Sequence, residues 1–106
     1  MTVVERPSDG HRLPRWLVEV VVVPKLGVND PEGEAILGGL RSLGYTEVDR
    51  AQSGRFFSLT VAAEDADRAR EDASRMANQL LANPVIQSFR IQSVSPISSI
   101  TTPTTL

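Results

Sequence analysis

The sequence predicts an α+β fold whose elements follow in the order β-α-β-β-α-β. Three features support this prediction: a β-branched apolar run at residues 16–23, two segments with apolar residues at helical spacing at 30–44 and 64–81, and strand-like segments between and after them. Apolar residues every three or four positions share one face of a helix, whereas alternation places them on one face of a strand. The 106 residues suffice for one domain with a modest core.

The first strand is predicted at Trp16–Val23, and Pro24 ends it. Its residues are β-branched or otherwise apolar at almost every position, with Glu19 as the interruption. Strands of this kind are covered on both faces. We therefore expect both faces of this strand to be covered.

The first helix is predicted to begin after Asp30, which is placed to cap it, with Pro31 at the first helical position. Gly44 suits the left-handed residue that closes a helix. The apolar positions recur at helical spacing: Ile36, Leu37, Leu40 and Leu43. The pair Gly38-Gly39 costs about 1 kcal/mol per glycine relative to alanine, and a close approach of the helix backbone to the sheet would explain it.

Two further strands are predicted at Val48–Gln52 and Arg55–Val61, joined as a hairpin near Ser53-Gly54. In the second of them, apolar positions alternate with positions of mixed character: Phe57, Leu59 and Val61 against Phe56, Ser58 and Thr60. Alternation places these two sets on opposite faces of the sheet. One face of this strand is therefore expected to be more apolar than the other.

The second helix is predicted to begin at the acidic residues Glu64, Asp65 and Asp67, which suit the helix dipole. Its predicted buried stripe is Ala66, Ala69, Ala73, Met76, Ala77 and Leu80. On its outer face, Asp72 is placed to pair with Arg68 and Arg75. Asn83-Pro84 stops this helix, because a residue before proline avoids the helical region.

The last strand is predicted at Val85–Ile91. The complete order is that of ferredoxin-like folds, a two-layer sandwich of a four-stranded antiparallel sheet with two helices on one face. The other face would carry Phe56, Ile86 and one side of the first strand. Such a face is too apolar to remain fully exposed to water. We therefore expect the sheet to pair with the sheet of a second copy, either face to face or edge to edge. The alternative is that the terminal segments fold over it.

Composition divides the chain into residues 1–15 as a flexible N-terminal arm, 16–94 as a single domain, and 95–106 as a disordered tail rich in Ser, Thr and Pro. The arm carries charges and prolines and no apolar core segment, so it is not a signal peptide. The longest apolar run is too short to cross a bilayer. These features predict an arm, one domain and a tail, with no segment for export or membrane insertion.

Composition also restricts the possible chemistry. The net charge is −2, which disfavours a nucleic-acid partner, and the absence of cysteine excludes a thiolate nucleophile and a disulfide framework. His11, the single histidine, lies in the predicted arm, where packing cannot hold a general base. The loops Lys25-Leu26-Gly27 and Ser53-Gly54-Arg55 each carry one cation, but neither matches a phosphate-binding fingerprint. The chain is therefore expected to have no catalytic, cofactor or metal site of its own.

Several segments occur in the order and spacing of a known family. They read Glu19–Val23, then Lys25-x-Gly27-Val28-x-Asp30-Pro31-x-Gly33-Glu34-Ala35-Ile36, then Leu43-Gly44-Tyr45, then Gly54-Arg55, then Leu80-Leu81-Ala82-Asn83-Pro84-Val85-Ile86. Over residues 16–94 the chain resembles PurS, the small subunit of phosphoribosylformylglycinamidine (FGAM) synthase. One departure is the loop Pro24-Lys25-Leu26-Gly27, where relatives often have Lys-Pro-Gly.

The resemblance implies a non-catalytic assembly and coupling subunit of a cytoplasmic ligase in de novo purine biosynthesis. Its partners would be the PurL synthetase, the PurQ glutaminase and a second copy of itself. ATP and Mg²⁺ would act in PurL, and no cofactor would bind here. The matching positions are implied to be structural or interface residues: Lys25, Asp30, Pro31, Gly33, Gly54, Arg55, Asn83 and Pro84.

Two other functions fit the same topology. Small ferredoxin-like dimers also serve as ligand-sensing modules that bind an amino acid or a nucleotide between subunits. An acylphosphatase-like enzyme would need an Arg in a phosphate-cradling loop, whereas Arg12 and Arg15 precede the first strand. The acylphosphatase reading is therefore the weaker of the two.

Overall fold

The computed structural model describes residues 13–97, and the fold within them is α+β. The elements are β1 (Arg15–Pro24), α1 (Pro31–Ser42), β2 (Arg55–Ala62), α2 (Ala66–Met76), a π-helical turn (Ala77–Leu81) and β3 (Gln87–Pro96). The three strands form one antiparallel sheet in the order β2-β1-β3. The α+β class is thus confirmed. Residues 1–12 of the predicted arm, with His11, and residues 98–106 of the predicted tail lie outside the described residues.

The core lies between β1 and α2. Val18, Val20 and Val22 on one face of β1 are fully buried. Facing them are the small residues of α2 and the π-helical turn: Ala69, Ala73 and Ala77, also fully buried. Because alanine has the shortest apolar side chain, the helix axis can approach the valines closely, which gives dense packing with small residues.

Both ends of α1 follow the predicted chemistry. The Asp30 carboxylate accepts a hydrogen bond from the Gly33 N–H at 3.0 Å, and Pro31 occupies the first turn. After the helix ends, Gly44 has a φ of +103°, a conformation that a side chain would strain. The predicted start and stop of this helix are confirmed.

The packing of α1 differs from the prediction. Within residues 13–97 only α2 packs extensively on the sheet, so the expected pair of helices on one face is not present in the single chain. Ile36 is 45% exposed and Leu43 74% exposed. A Cβ added at Gly38 or Gly39 would meet no atom from outside its own helix within 4 Å, so their explanation by a close approach to the sheet is wrong for the single chain.

The predicted strand Val48–Gln52 and its hairpin with β2 are not present in the described structure. The Arg41 guanidinium on α1 donates to the Val48 carbonyl at 2.9 and 3.2 Å, and the Gln52 side chain donates to the Pro24 carbonyl at 3.2 Å. These side-chain bonds hold the segment along α1 and the end of β1. The segment pairs with no strand within residues 13–97, so β2 and β3 both stay edge strands there.

The sheet face away from α2 is open in the single chain. Val21 and Phe56 pair across the strands on this face, and Phe56 is more than half exposed, as predicted. Near the centre, the Glu19 carboxylate accepts a hydrogen bond from the Ser93 hydroxyl at 2.9 Å. Ile86 was expected on this face, but it lies in the turn before β3. The expected covering of both faces of β1 is thus not provided within residues 13–97.

The π-helical turn changes which side chains are buried at the end of α2. The Ala82 N–H bonds to the Ala77 carbonyl at 2.9 Å, five residues earlier, so this turn holds one residue more than an α-helical turn. Leu81 consequently packs against the core, whereas Leu80 is exposed. The prediction that Leu80 is buried is wrong for this reason, and Met76, which lies in α2 before the turn, is also exposed against the prediction. None of the helices in the described part of the chain is long and apolar enough to cross a membrane.

Candidate interaction site

The eight residues of the family pattern meet at one end of the sheet. β1 ends there at Pro24, and β2 and β3 begin there at Arg55 and Gln87. We call this region the Pro24 end. Lys25, Asp30, Pro31 and Gly33 follow β1, Gly54 and Arg55 open β2, and Asn83 and Pro84 precede β3. Three segments that are distant in sequence are therefore adjacent in space.

Lys25 joins the end of β1 to the turn before β3. Its backbone N–H donates to the Ile86 carbonyl at 2.9 Å, and its Nζ donates to the Pro84 carbonyl at 2.6 Å. The second bond is the stronger of the two, because its donor carries a charge. The first and the last segments of the pattern are thus in direct contact through one residue.

The Asn83-Pro84 turn is stabilised by the asparagine itself. The Asn83 Oδ1 accepts from the Val85 N–H at 3.0 Å, which is the local bond that favours asparagine in turns. The Asn83 carbonyl accepts from the N–H groups of Ile86 and Gln87 at 3.1 and 2.7 Å. The Gln87 side chain in turn accepts from the Asn83 N–H at 2.7 Å. The segment is therefore a tightly bonded bend.

Asp30 connects α1 to the segment that precedes β2. One carboxylate oxygen caps α1 at Gly33, and the other accepts from the Ser53 N–H at 3.0 Å. The Ser53 hydroxyl donates to the Glu32 carboxylate at 2.7 Å. A Cβ on Gly33 would lie 2.7 Å from the Ala51 carbonyl oxygen, so only glycine permits this contact.

Gly54 lies directly against β1. A Cβ at this position would collide with the Val22 carbonyl oxygen, an atom of the backbone that cannot rotate away. The next residue, Arg55, is exposed, and its guanidinium carbon is 5.9 Å from the centroid of the Phe57 ring. The glycine therefore sets how closely β2 begins beside β1. The assignment of all eight pattern residues as interface positions stays a prediction.

A cavity of about 290 Å³ opens beside the first turns of α1. It is lined by the loop Pro24–Val28, by Glu34 and Leu37, and by the segment Asp49–Gln52. The charged residues that line the cavity include both cations and anions. In the described part of the chain, the ion pairs lie outside the cavity and join Asp72 to Arg68 and Arg75, as predicted. The cavity is just below the usual range of about 300–1,000 Å³ for ligand pockets.

The chemistry of the Pro24 end is hydrogen bonding and apolar contact. Within residues 13–97 no three His, Asp or Glu side chains meet in a way that could hold a metal ion. The structure adds contacts that sequence reasoning missed, made by Gln52, by Gln87 and by Ser53, which had been named only as part of a loop. Each is an ordinary polar residue beside a turn. The signal available in the sequence was their position beside Gly54 and Asn83.

Comparisons with known proteins agree on one family. A family model described as PurS, phosphoribosylformylglycinamidine (FGAM) synthase, matches residues 17–95. The PurS subunit from Archaeoglobus fulgidus is 39% identical over 71% of this chain and 94% of its own length.

Solved structures give the same result. A PurS structure from Thermus thermophilus, 30% identical, matches 80% of this chain and all of its own with a TM-score of 0.73. A structure described as PurLQS from Thermotoga maritima contains a chain that is 28% identical and matches 80% of this chain and all of its own with a TM-score of 0.68.

Proposed function

The chain belongs to the PurS family of FGAM synthase subunits, and from that premise we propose that it joins the PurL synthetase to the PurQ glutaminase. In this assembly the chain would couple glutamine hydrolysis to the ATP-dependent conversion of formylglycinamide ribonucleotide (FGAR) to FGAM. The observation that carries the proposal is the match to a full chain of the Thermotoga maritima complex described as PurLQS.

The composition of the Pro24 end supports a binding role. Its residues form bonded turns and exposed apolar surface, and the described part of the chain contains neither a histidine nor a cysteine that could act as a base or a nucleophile. We accordingly place the chemistry in the partners. ATP and Mg²⁺ would act in the synthetase, no cofactor would bind in this chain, and the complex would work in the cytoplasm.

We also propose that the chain forms a homodimer in which α1 is covered by the second copy. Two features support this pairing: α1 exposes Ile36 and Leu43, and the sheet offers an open face and two edge strands. When another surface covers an apolar helix face of this kind, the free energy of the assembly falls. The second helix of the predicted ferredoxin-like layer would then come from the partner copy. A segment from that copy could also supply the fourth strand.

Sedimentation of the three proteins tests the proposed assembly. A mixture of PurL, PurQ and this chain should sediment as one complex, because the chain contacts both enzymes. The same mixture without the chain should sediment as separate PurL and PurQ. A complex of PurL and PurQ that forms equally well without the chain would contradict the proposal.

A ligand-sensing module is the second candidate, and the cavity beside α1 is the observation in its favour. Lys25 and Arg50 together with Glu34 and Asp49 would suit a small ligand that carries both charges, such as an amino acid. Equilibrium dialysis of the chain against amino acids and nucleotides separates the two functions. Saturable binding of a ligand would favour the sensor, and its absence would favour the assembly subunit.

A further inference from the structure

The chain between β1 and β2 forms a body that is separate from the sheet. It consists of α1 and the segment that follows it, residues 30–53, and we call it the α1 arm. Within residues 13–97, α1 packs extensively on neither the sheet nor α2. Regions with few packed apolar contacts move at a low cost in free energy. The position of the α1 arm therefore depends on its connections to the sheet rather than on a packed interface.

The α1 arm is closed at its base by its own hydrogen bonds. The two oxygens of the Asp30 carboxylate accept from the N–H groups of Gly33 and Ser53, both at 3.0 Å. The Ser53 hydroxyl donates to the Glu32 carboxylate at 2.7 Å. Gly33 also lies directly against the Ala51 carbonyl. Because the beginning and the end of the arm are bonded to each other, the arm can move as one body.

On the sheet side of both connections, the chain is fixed in place. The Lys25 backbone N–H donates to the Ile86 carbonyl at 2.9 Å, and its Nζ donates to the Pro84 carbonyl at 2.6 Å. Gly54 lies directly against the Val22 carbonyl of β1. Lys25 and Gly54 therefore keep their places whatever the position of the arm.

Two short stretches join the arm to these fixed points. One is the loop 26–29, and the other is the junction Ser53-Gly54. Gly27, within the loop, has a φ of +83°, and a Cβ there would meet no atom beyond its chain neighbours within 4 Å. Hinges in proteins are a few loop or element-terminal residues that absorb changes of φ and ψ. The two stretches have the position and the freedom of a hinge.

Two hydrogen bonds hold the arm in the observed position. The Gln52 side chain donates to the Pro24 carbonyl at 3.2 Å, and the Val28 N–H donates to the Lys25 carbonyl at 3.1 Å within the loop. A hydrogen bond between neutral groups contributes only about 1 kcal/mol net. The cavity of about 290 Å³ beside the first turns of α1 lies between the same loop and the arm. It leaves room for a rotation at this joint.

We propose that the α1 arm rotates as one body about the hinge formed by residues 26–29 and the Ser53-Gly54 junction. The three strands and α2 stay in place during this rotation. The 12 residues of α1 span about 18 Å, so a rotation of about 30° moves its far end by about 9 Å. The inference concerns the single chain and goes beyond the proposed function, in which the second copy would meet α1 as a movable element.

A pair of spin labels across the hinge tests this proposal in the full chain. The sequence has no cysteine, so engineered cysteines are the only sites that take the labels. One label is placed at Ser42→Cys at the end of α1 and the other at Glu71→Cys on α2, both exposed positions. The distances between the labels are measured by pulsed electron paramagnetic resonance. The chain also carries Ile36→Ser and Leu43→Ser, which remove the apolar contacts proposed for the second copy.

The matched control keeps the label at Glu71→Cys and moves the other to Ser58→Cys, an exposed position on β2. We expect the distances from Ser42 to be spread over a range wider by about 5–10 Å than those from Ser58, with unchanged helical circular dichroism. An equally narrow range in a sample that sediments as single chains would overturn the hinge. A wide range together with a loss of helical signal would also overturn it, because the arm would then unfold rather than rotate.

Discussion

Replacing Gly54 by valine is expected to lower the free energy of unfolding by about 3 kcal/mol, the upper range for an added side chain that displaces backbone. The new Cβ would collide with the Val22 carbonyl oxygen, and that atom is fixed in the β1 backbone. The start of β2 would have to move away from β1, where Arg55 pairs with Val22. Urea unfolding followed by circular dichroism measures the loss.

Ala62→Val is the control for this change. It adds a side chain of the same kind at the other end of β2, where Ala62 is exposed. Its free energy of unfolding should stay within about 0.5 kcal/mol of the wild type, as is usual for exposed positions. Equal stability of Gly54→Val and the wild type would show that the close approach of Gly54 to β1 is not needed for folding.

Replacing Ile36 and Leu43 together by serine is expected to raise the dissociation constant of the proposed homodimer about 100-fold. Each apolar side chain covered by the second copy contributes about 1.5 kcal/mol or more, and 1.4 kcal/mol corresponds to a factor of ten in affinity. Both residues are exposed in the single chain, so its folding should change little. Sedimentation equilibrium over a range of concentrations measures the constant.

Ala35→Ser is the matched control on the same helix, because it introduces the same side chain at an exposed position without removing a large apolar group. Its dissociation constant should stay close to that of the wild type. If the Ile36→Ser/Leu43→Ser variant associates as tightly as the wild type, α1 is not the dimer contact. The second copy would then have to pair through the sheet.

The features that were predicted well from the sequence are determined by residues close to one another in the sequence. Asp30-Pro31 starts α1 because a carboxylate and a proline suit the first turn regardless of what packs on the helix. Gly44 ends α1 because the left-handed conformation is local. The same holds for Asp65, which caps α2 by accepting from the Arg68 N–H at 2.8 Å.

The features that sequence missed depend on contacts across the fold. Val48–Gln52 was predicted as a strand, but Arg41 on α1 donates to its first carbonyl and the segment pairs with no strand in the described structure. The burial of Leu80 failed because one additional residue in the helical turn changed the register of the stripe. Neither the arginine contact nor the π-helical turn has a pattern that periodicity could detect.

The candidate site also combines features that the sequence indicates with contacts that only the structure shows. The family pattern singled out Lys25, Gly54 and Asn83 from their order and spacing, and their role at an interface stays a prediction. It did not predict that Lys25 bonds to Pro84, or that Gly54 touches Val22. Those contacts depend on how the strands pair, so they required the structure.

The most direct test of the central claim compares the rates of FGAM formation from glutamine and from free ammonia. Both rates are measured with PurL and PurQ at fixed concentrations, with increasing amounts of this chain. We expect the glutamine-dependent rate to be near zero without the chain, to rise with its addition and to saturate at a fixed molar ratio, while the ammonia-dependent rate stays constant. A full glutamine-dependent rate in the absence of the chain would contradict its role as the coupling subunit.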